Sequence, residues 1–437
     1  MVTWTYVPCK YHFFSIHFFY TPYSSSLFLP FFCFSYPYVC KYGEFPLGHP
    51  DIITEDFQPI ETREYRGLIS CAVLPPQNLK HGVLPYRSAE GKLTFPLCRT
   101  CTERRQQTRC THTPDQRQLS GTWPTIELYA AMDRGYRVVR VEEVWNYTRW
   151  AKYDGLDEAT GLFTAYINTF LKAKVEASGY PSGVDTEDQR RAYVARYLER
   201  EGVLLDPEKI QKNPGLRSLA KLCLNSFWGK FGQRANMAQL TYCTTPEQMY
   251  DLFRDDRIIV HTVTPIGDDM VAVQHTMEDD FAEVLPNTNP VIAAYTTAQA
   301  RLHLYQFLEK LGDNCLYFDT DSLVYVKNAD YTPPTGEFLG DLTDELADYG
   351  PGSYIDEFVS AGPKNYAYSV YNPVTRARKA VTKVKGIPLN FATASVITMD
   401  LMRDHVQQFV RDNTSVETVL SYPRIDRRGA DKQVVTR

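Results

Sequence analysis

Apolar and polar positions change period several times along this chain, and each change predicts an element. Residues 187–200 (EDQRRAYVARYLER) mix charge with apolar residues at helical spacing and predict a charged amphipathic helix. Asn213-Pro214 opens a second helix, with Asn as cap and Pro at the first helical position, running to about Gly229 or Gly232. A longer helix is predicted from Val291 to Leu311, stopped by Gly312. Apolar runs on either side of an acidic turn then predict a strand–turn–strand unit over 315–326. No internal repeat is visible. The run Tyr11–Ser35 is different: it is aromatic-rich, broken by Pro22 and Pro30, and has neither a helical nor an alternating period. It is too interrupted for a membrane span and lacks a small-residue cleavage site after a clean apolar core. Residues 1–35 are therefore read as foreign to the fold, through translated non-coding sequence or a misassigned first exon, with a weak membrane anchor as the alternative.

The chain has 437 residues, of which 43% are hydrophobic, enough for two or three compact domains with a buried core. Aromatic residues are abundant, with 30 Tyr and 23 Phe, and can fill cores or stack on bases. The net charge of −5 argues against a protein that coats nucleic acid by bulk charge. The charge is nonetheless segregated. Asp313–Glu357 holds eleven acidic residues and one basic residue, Lys327, whereas Phe358–Met399 holds six basic and no acidic ones. An acidic metal-binding stretch followed by a basic backbone-binding stretch fits a nucleotidyl transferase, and two unrelated surface faces fit as well. The ten cysteines are scattered apart from one cluster, so a reducing, intracellular setting is expected.

Three groups of residues carry candidate chemistry. Tyr317-Phe318-Asp319-Thr320-Asp321-Ser322 reads as a hairpin with carboxylates at its tip, and residues i and i+2 of an extended chain share one face. Asp319 and Asp321 could then supply the hard oxygen ligands that Mg²⁺ requires, although a D-x-D in a turn is also an ordinary solvated turn. Arg217, Lys221 and Asn225 are spaced by four and form one helical stripe, with Leu219, Leu222 and Cys223 on the side free to pack. Two cations and an amide can hold a triphosphate; an amphipathic surface helix looks the same. Cys98-Arg-Thr-Cys101 followed by Cys110-Thr-His112 offers four tetrahedral ligands for Zn²⁺, or four reduced side chains packed together.

The first two groups together resemble the family B DNA polymerases. The patterns there are K-x-x-x-N-S-x-Y-G on the fingers helix and Y-x-D-T-D-S in the palm; both occur here in that order, with Trp228 in place of the usual Tyr. Gly362-Pro363-Lys364-Asn365-Tyr366 resembles the K-x-Y element that holds the primer end, and Lys383-Val384-Lys385-Gly386 the basic segment after it. Tyr36-Pro37, within YPYVCKYG, resembles the end of D-x-x-S-L-Y-P, where Tyr36 would gate the sugar against a 2′-hydroxyl. Counting back five residues, the metal-binding aspartate falls on Phe31, and Ser35 stands where Leu is expected. The wording LNSFWGKFGQR, LCRTC and GPKNYAY is most similar to polymerases of the protein-primed branch, of the Maverick/Polinton transposon type. The adjacent aspartates of a reverse transcriptase do not fit, because Thr320 separates the pair.

This resemblance implies an α+β right-hand fold: a palm with an antiparallel sheet, helical fingers and insertions, without the exonuclease domain and with a shortened thumb. The implied parts are 36–50 for partial motif A, 51–185 for a Cys-rich insertion, 186–232 for the fingers, 233–289 for a second insertion, 290–400 for the palm and 401–437 for the start of the thumb. It implies DNA-directed DNA synthesis with two Mg²⁺ ions, one ligand of which is missing. Asp319 and Asp321 would serve the metals, with Asp321 ahead as direct ligand. Arg217, Lys221, Asn225 and Tyr36 would serve the nucleotide, and Lys364, Tyr366, Lys383 and Lys385 the primer. The implied partners are primer–template DNA, deoxynucleoside triphosphates and a terminal priming protein, with no membrane. A non-catalytic DNA-binding remnant is the alternative.

Overall fold

The computed structural model describes residues 2–5, 27–28, 30–32, 35–106, 108–283, 285–327, 331–387, 389–412 and three short strands at 417–420, 425–427 and 434–436. The elements used below are, in chain order, β1 (Leu27–Phe28), β2 (Pro30–Phe32), α1 (Ser35–Tyr42), β3 (Asp51–Ile53), β4 (Gly67–Leu74), α2 (Arg99–Glu103), β5 (Leu119–Pro124), α3 (Thr125–Met132), β6 (Arg137–Asn146), α4 (Thr164–Glu176), α5 (Glu187–Glu201) and α6 (Pro214–Ser226). They continue with β7 (Gln239–Cys243), α7 (Pro246–Arg254), β8 (Ile258–Pro265), β9 (Val271–Met277), α8 (Pro290–Leu311), β10 (Cys315–Asp319), β11 (Ser322–Val326), β12 (Leu342–Asp344), β13 (Tyr354–Ser360), β14 (Tyr366–Tyr371), β15 (Arg378–Lys383) and α9 (Met399–Asp412).

The chain divides into two compact units. The smaller is built mainly from Gly229–Pro290, where β9 lies between β7 and β8 in an antiparallel sheet. The larger holds all the candidate site residues. Its main sheet has eight strands. Hairpin β10–β11 forms one side, β1 and β2 pair with β11 in a single antiparallel register, and β13, β14 and β15 follow as a meander. β12 pairs with the far side of β2. The sequence reading began the fold at residue 36, but main-chain pairing extends the sheet back to Leu27. Pairing of this kind asks only for extended backbone, which aromatic residues favour.

A second sheet, in the order β3-β6-β4-β5, lies between α1 and α4 in the chain. α8 ties it to the main sheet. Leu304, Leu308 and Leu311 of α8 share a core with Ile69, Cys71 and Val73 of β4, with Trp123 of β5, and with Phe318 and Leu323 of the hairpin. Burying each such aliphatic side chain contributes roughly 1.5–3 kcal/mol, so this shared core fixes the hairpin against the helix. The predicted helices are present. α5 starts at a capping box between Thr186 and Gln189, and α8 ends before Gly312, which has φ 50°. Beyond Ser226, α6 tightens into a 3₁₀ turn over Phe227–Gly232.

One expectation about α6 is corrected. Leu219 and Leu222 were to pack, yet they are 57% and 61% exposed, while Ala220 and Leu224 are buried. α6 meets α4 along the Ala220–Leu224 line, in a cluster with Ile167 and Leu171. The partner helix selects which line is covered, and small Ala220 permits the close approach.

Candidate active site

Asp319 ends β10 and pairs with Ser322, which leaves Thr320 and Asp321 as a two-residue turn. Thr320 has φ 45°, and the Asp321 N–H donates back to the Asp319 carbonyl. This is a γ-turn of the rarer, positive-φ hand. A β-branched residue at positive φ carries strain of roughly 1–3 kcal/mol, which concentrates at functional positions. The reason expected for a shared direction, strand alternation, does not apply, because Asp321 lies in the turn. The tightness of the turn itself brings the carboxylates together. Thr320 Oγ1 donates to Asp319 Oδ1 at 2.9 Å. Burial pushes the Asp321 pKa above the usual carboxylate value, and the neighbouring charge of Asp319 pushes it further.

Lys364 reaches into this turn. Its Nζ lies 2.7 Å from Asp319 Oδ2, and its backbone N–H donates to the Tyr317 hydroxyl at 3.0 Å. Tyr366 is buried and packs 4.9 Å from the Tyr317 ring. Antiparallel pairing sets Tyr366 opposite Lys383, and the Lys385 N–H donates to Asn365 Oδ1 at 2.9 Å. The two basic segments identified in the sequence are thus neighbours, and one of them touches a candidate metal ligand.

Tyr36 lies in α1, 4.3 Å from the Trp228 ring just beyond α6. Burial raises the pKa of its hydroxyl; Arg301 works against the rise, and Asp321 and Asp319 add to it. Tyr36 therefore packs beside the end of α6 while feeling the charges of the acidic turn. The indole N–H of Trp228 is buried without an acceptor among the described residues. Lys221 is exposed and Asn225 half-buried beside the line by which α6 packs, and Arg217 Nε donates to Ser178 Oγ at 3.2 Å.

The backbone of Phe31 sits directly opposite Ser322 on one side and Thr343 on the other. Residue 31, where the sequence reading expected a carboxylate, is thus beside the acidic turn. The residues present fit a hard divalent cation in part: Asp319 and Asp321 are oxygen ligands at one turn, and the ammonium drawn to Asp319 shows that positive charge is favoured there.

Sequence reasoning missed four residues. Glu345 adds to the field that raises Asp321. It follows β12, and only the sheet reveals that this strand lies beside residue 31. Arg301 of α8 binds Glu127 through two bonds, of 2.6 and 2.9 Å, while facing Tyr36 electrostatically. Lys41 and Glu201 form a fully buried ion pair at 3.2 Å, and Glu201 also accepts from the Tyr42 hydroxyl at 2.7 Å and from the Leu339 N–H at 2.9 Å. No motif marks any of these residues; a charged residue at an otherwise apolar helix position was the available signal for Lys41. Away from the turn, Cys98, Cys101, Cys110 and His112 converge. Among the described residues no helix is long and apolar enough to cross a membrane.

No family model matches the chain. A probable DNA polymerase of Neurospora intermedia is 25% identical over 190 residues, which is 41% of this chain and 18% of that protein. A DNA polymerase of Kluyveromyces lactis is 26% identical over 197 residues, with the same two coverages. The chain therefore matches less than a fifth of either relative's length. Phi29 DNA polymerase, solved with primer-template DNA and incoming nucleotide substrates, superposes with a TM-score of 0.52 at 14% identity. The superposition covers 90% of this chain and 56% of that one. In sequence this chain is similar to DNA polymerases, and over nine-tenths of its length it has a fold similar to that of Phi29 DNA polymerase.

Proposed function

We propose that the chain is the palm-and-fingers part of a DNA-directed DNA polymerase of the protein-primed family B type, adding deoxynucleotides to a primer 3′ end. The observation that carries this reading is the position of Tyr36, packed against Trp228 and within the field of Asp319 and Asp321. A side chain there can sense the sugar of a nucleotide whose phosphates lie at the turn. Asp319 and Asp321 would hold Mg²⁺, which supplies charge neutralisation at the transferring phosphate. Lys221 and Arg217 would bind the triphosphate and Asn225 the nucleotide. Lys364, Tyr366, Lys383 and Lys385 would bind the primer strand through its phosphates. A terminal protein is the primer this branch implies.

Phe31 opposite Ser322 favours a further statement: this chain is catalytically impaired for want of one ligand. Primer extension with Mg²⁺ should give little product from the chain as it stands. Phe31→Asp should raise the rate by at least ~100-fold, since a metal ligand is worth several kcal/mol of transition-state stabilisation. Robust synthesis by the unaltered chain refutes the impairment. Salt-sensitive primer–template binding with no extension even after Phe31→Asp favours the alternative, a DNA-binding remnant.

A further inference from the structure

We propose that Cys98, Cys101, Cys110 and His112 hold a single zinc ion that organises the chain between β4 and β5. The four ligand atoms lie within 4.8 Å of one another. His112 Nδ1 is 3.5 Å from Cys98 Sγ, 3.3 Å from Cys101 Sγ and 3.6 Å from Cys110 Sγ. A tetrahedral ion with Zn–S near 2.3 Å and Zn–N near 2.05 Å places sulfur and nitrogen about 3.5 Å apart. The observed spacing is the edge of that tetrahedron. Hydrogen bonding does not account for it: one ring nitrogen offers a single proton or a single lone pair, and three sulfurs surround it. The three cysteines are not in disulfides. A set this tight suits one ion rather than a polynuclear iron–sulfur cluster.

The Cys101 N–H donates to Cys98 Sγ at 3.4 Å, which turns the C-x-x-C segment back on itself at the start of α2. Cys98 and Cys101 are buried, whereas Cys110 and His112 are partly open, leaving a route for the ion.

The segment also needs such a device. Among the described residues between Leu74 and Leu119, regular structure amounts to two strands of two residues and helices of five and four residues. Val83 and Leu84 anchor the first part of this segment in the core shared with α8, and the ion would hold the part beyond them, where regular pairing is short. The ion would pin α2 to the 110–112 strap. Thr100 Oγ1 already donates to the Gln116 carbonyl at 2.7 Å, and the buried Arg117 donates to the carbonyls of Pro75 and Pro76 at 2.8 and 2.9 Å. The clamp therefore passes from the metal to the ends of β4 and β5.

The test uses the full 437-residue chain purified without added metal. Elemental analysis should find about one zinc per chain. Cys101→Ser and Cys110→Ser should lower it at least ~10-fold, and Asp319→Asn should leave it unchanged. Cobalt(II) added to chelator-stripped chain should give the visible bands of a tetrahedral thiolate site. This readout stands even where a cysteine variant fails to fold. Chelation should open protease cleavage within residues 76–118 before cleavage elsewhere. A folded chain without zinc and without the cobalt spectrum overturns the proposal, as does full zinc content in Cys110→Ser. None of these readouts depends on primer extension, so the metal site and the polymerase reading stand or fall separately.

Discussion

Asp321 is the residue whose chemistry the turn most alters. Its pKa is raised by burial and by the charge of Asp319, so the folded chain holds its proton more tightly than the unfolded chain does. As pH rises, the unfolded aspartate ionises first, and without metal the folded state loses stability from the ordinary aspartate pKa up to the raised one. Asp321→Asn removes that loss. Thermal melts in metal-free buffer should show the variant level with the parent near about pH 3 and more stable near about pH 7. The same substitution should abolish the stabilisation that Mg²⁺ gives the parent. Lys364 sits on the other carboxylate, and at 52% side-chain exposure its pair with Asp319 adds little to stability. Its value lies in delivering a cation to the turn.

At the scale of elements, Glu201 is where three segments meet. It ends α5, pairs with Lys41 of α1, and accepts from the backbone of Leu339 in the loop before β12. α1 carries Tyr36, so this buried pair helps fix the helix that positions Tyr36. Burial pulls the Lys41 ammonium below its ordinary pKa while the Glu201 charge resists. Removing one partner leaves the other charge buried and alone, at a cost of about 3–5 kcal/mol. Glu201→Gln should show that loss in urea denaturation, and Lys41→Met with Glu201→Leu should recover much of it. Gly340 makes a second joint in the same loop. It has φ 80°, and a Cβ there would come within 2.6 Å of the Tyr38 ring on α1. Gly340→Ala should destabilise by roughly 1–3 kcal/mol and shift Tyr36 with α1, which differential scanning calorimetry and Tyr fluorescence would follow.

Across the whole molecule, the acidic and basic stretches fold into strands of one sheet rather than into separate sheets. Lys364 reaches the acidic turn, and Lys383 and Lys385 lie next to its segment across the β14–β15 end. Replacing the three lysines by Ala should weaken binding to primer–template regardless of sequence. It should also flatten the dependence of log K on log salt by about 0.9 for each phosphate the chain no longer neutralises, read by fluorescence anisotropy over a salt series. A slope that does not move would place the DNA elsewhere.

The helices over 187–201, 214–226 and 290–311 and the acidic hairpin were legible in the sequence, because caps, period and turn chemistry act within a few residues of chain. The candidate ligands Asp319, Asp321 and the Cys98–His112 set were legible for the same reason. What only the tertiary structure decided spans longer distances along the chain. Lys364 meets Asp319 across 45 residues and Lys41 meets Glu201 across 160. The face on which α6 packs and the entry of residues 27–28 and 30–32 into the sheet depend on a neighbour's shape. Contacts of this kind arise from packing between elements, and no local pattern of hydrophobic and polar residues encodes which element will be the neighbour.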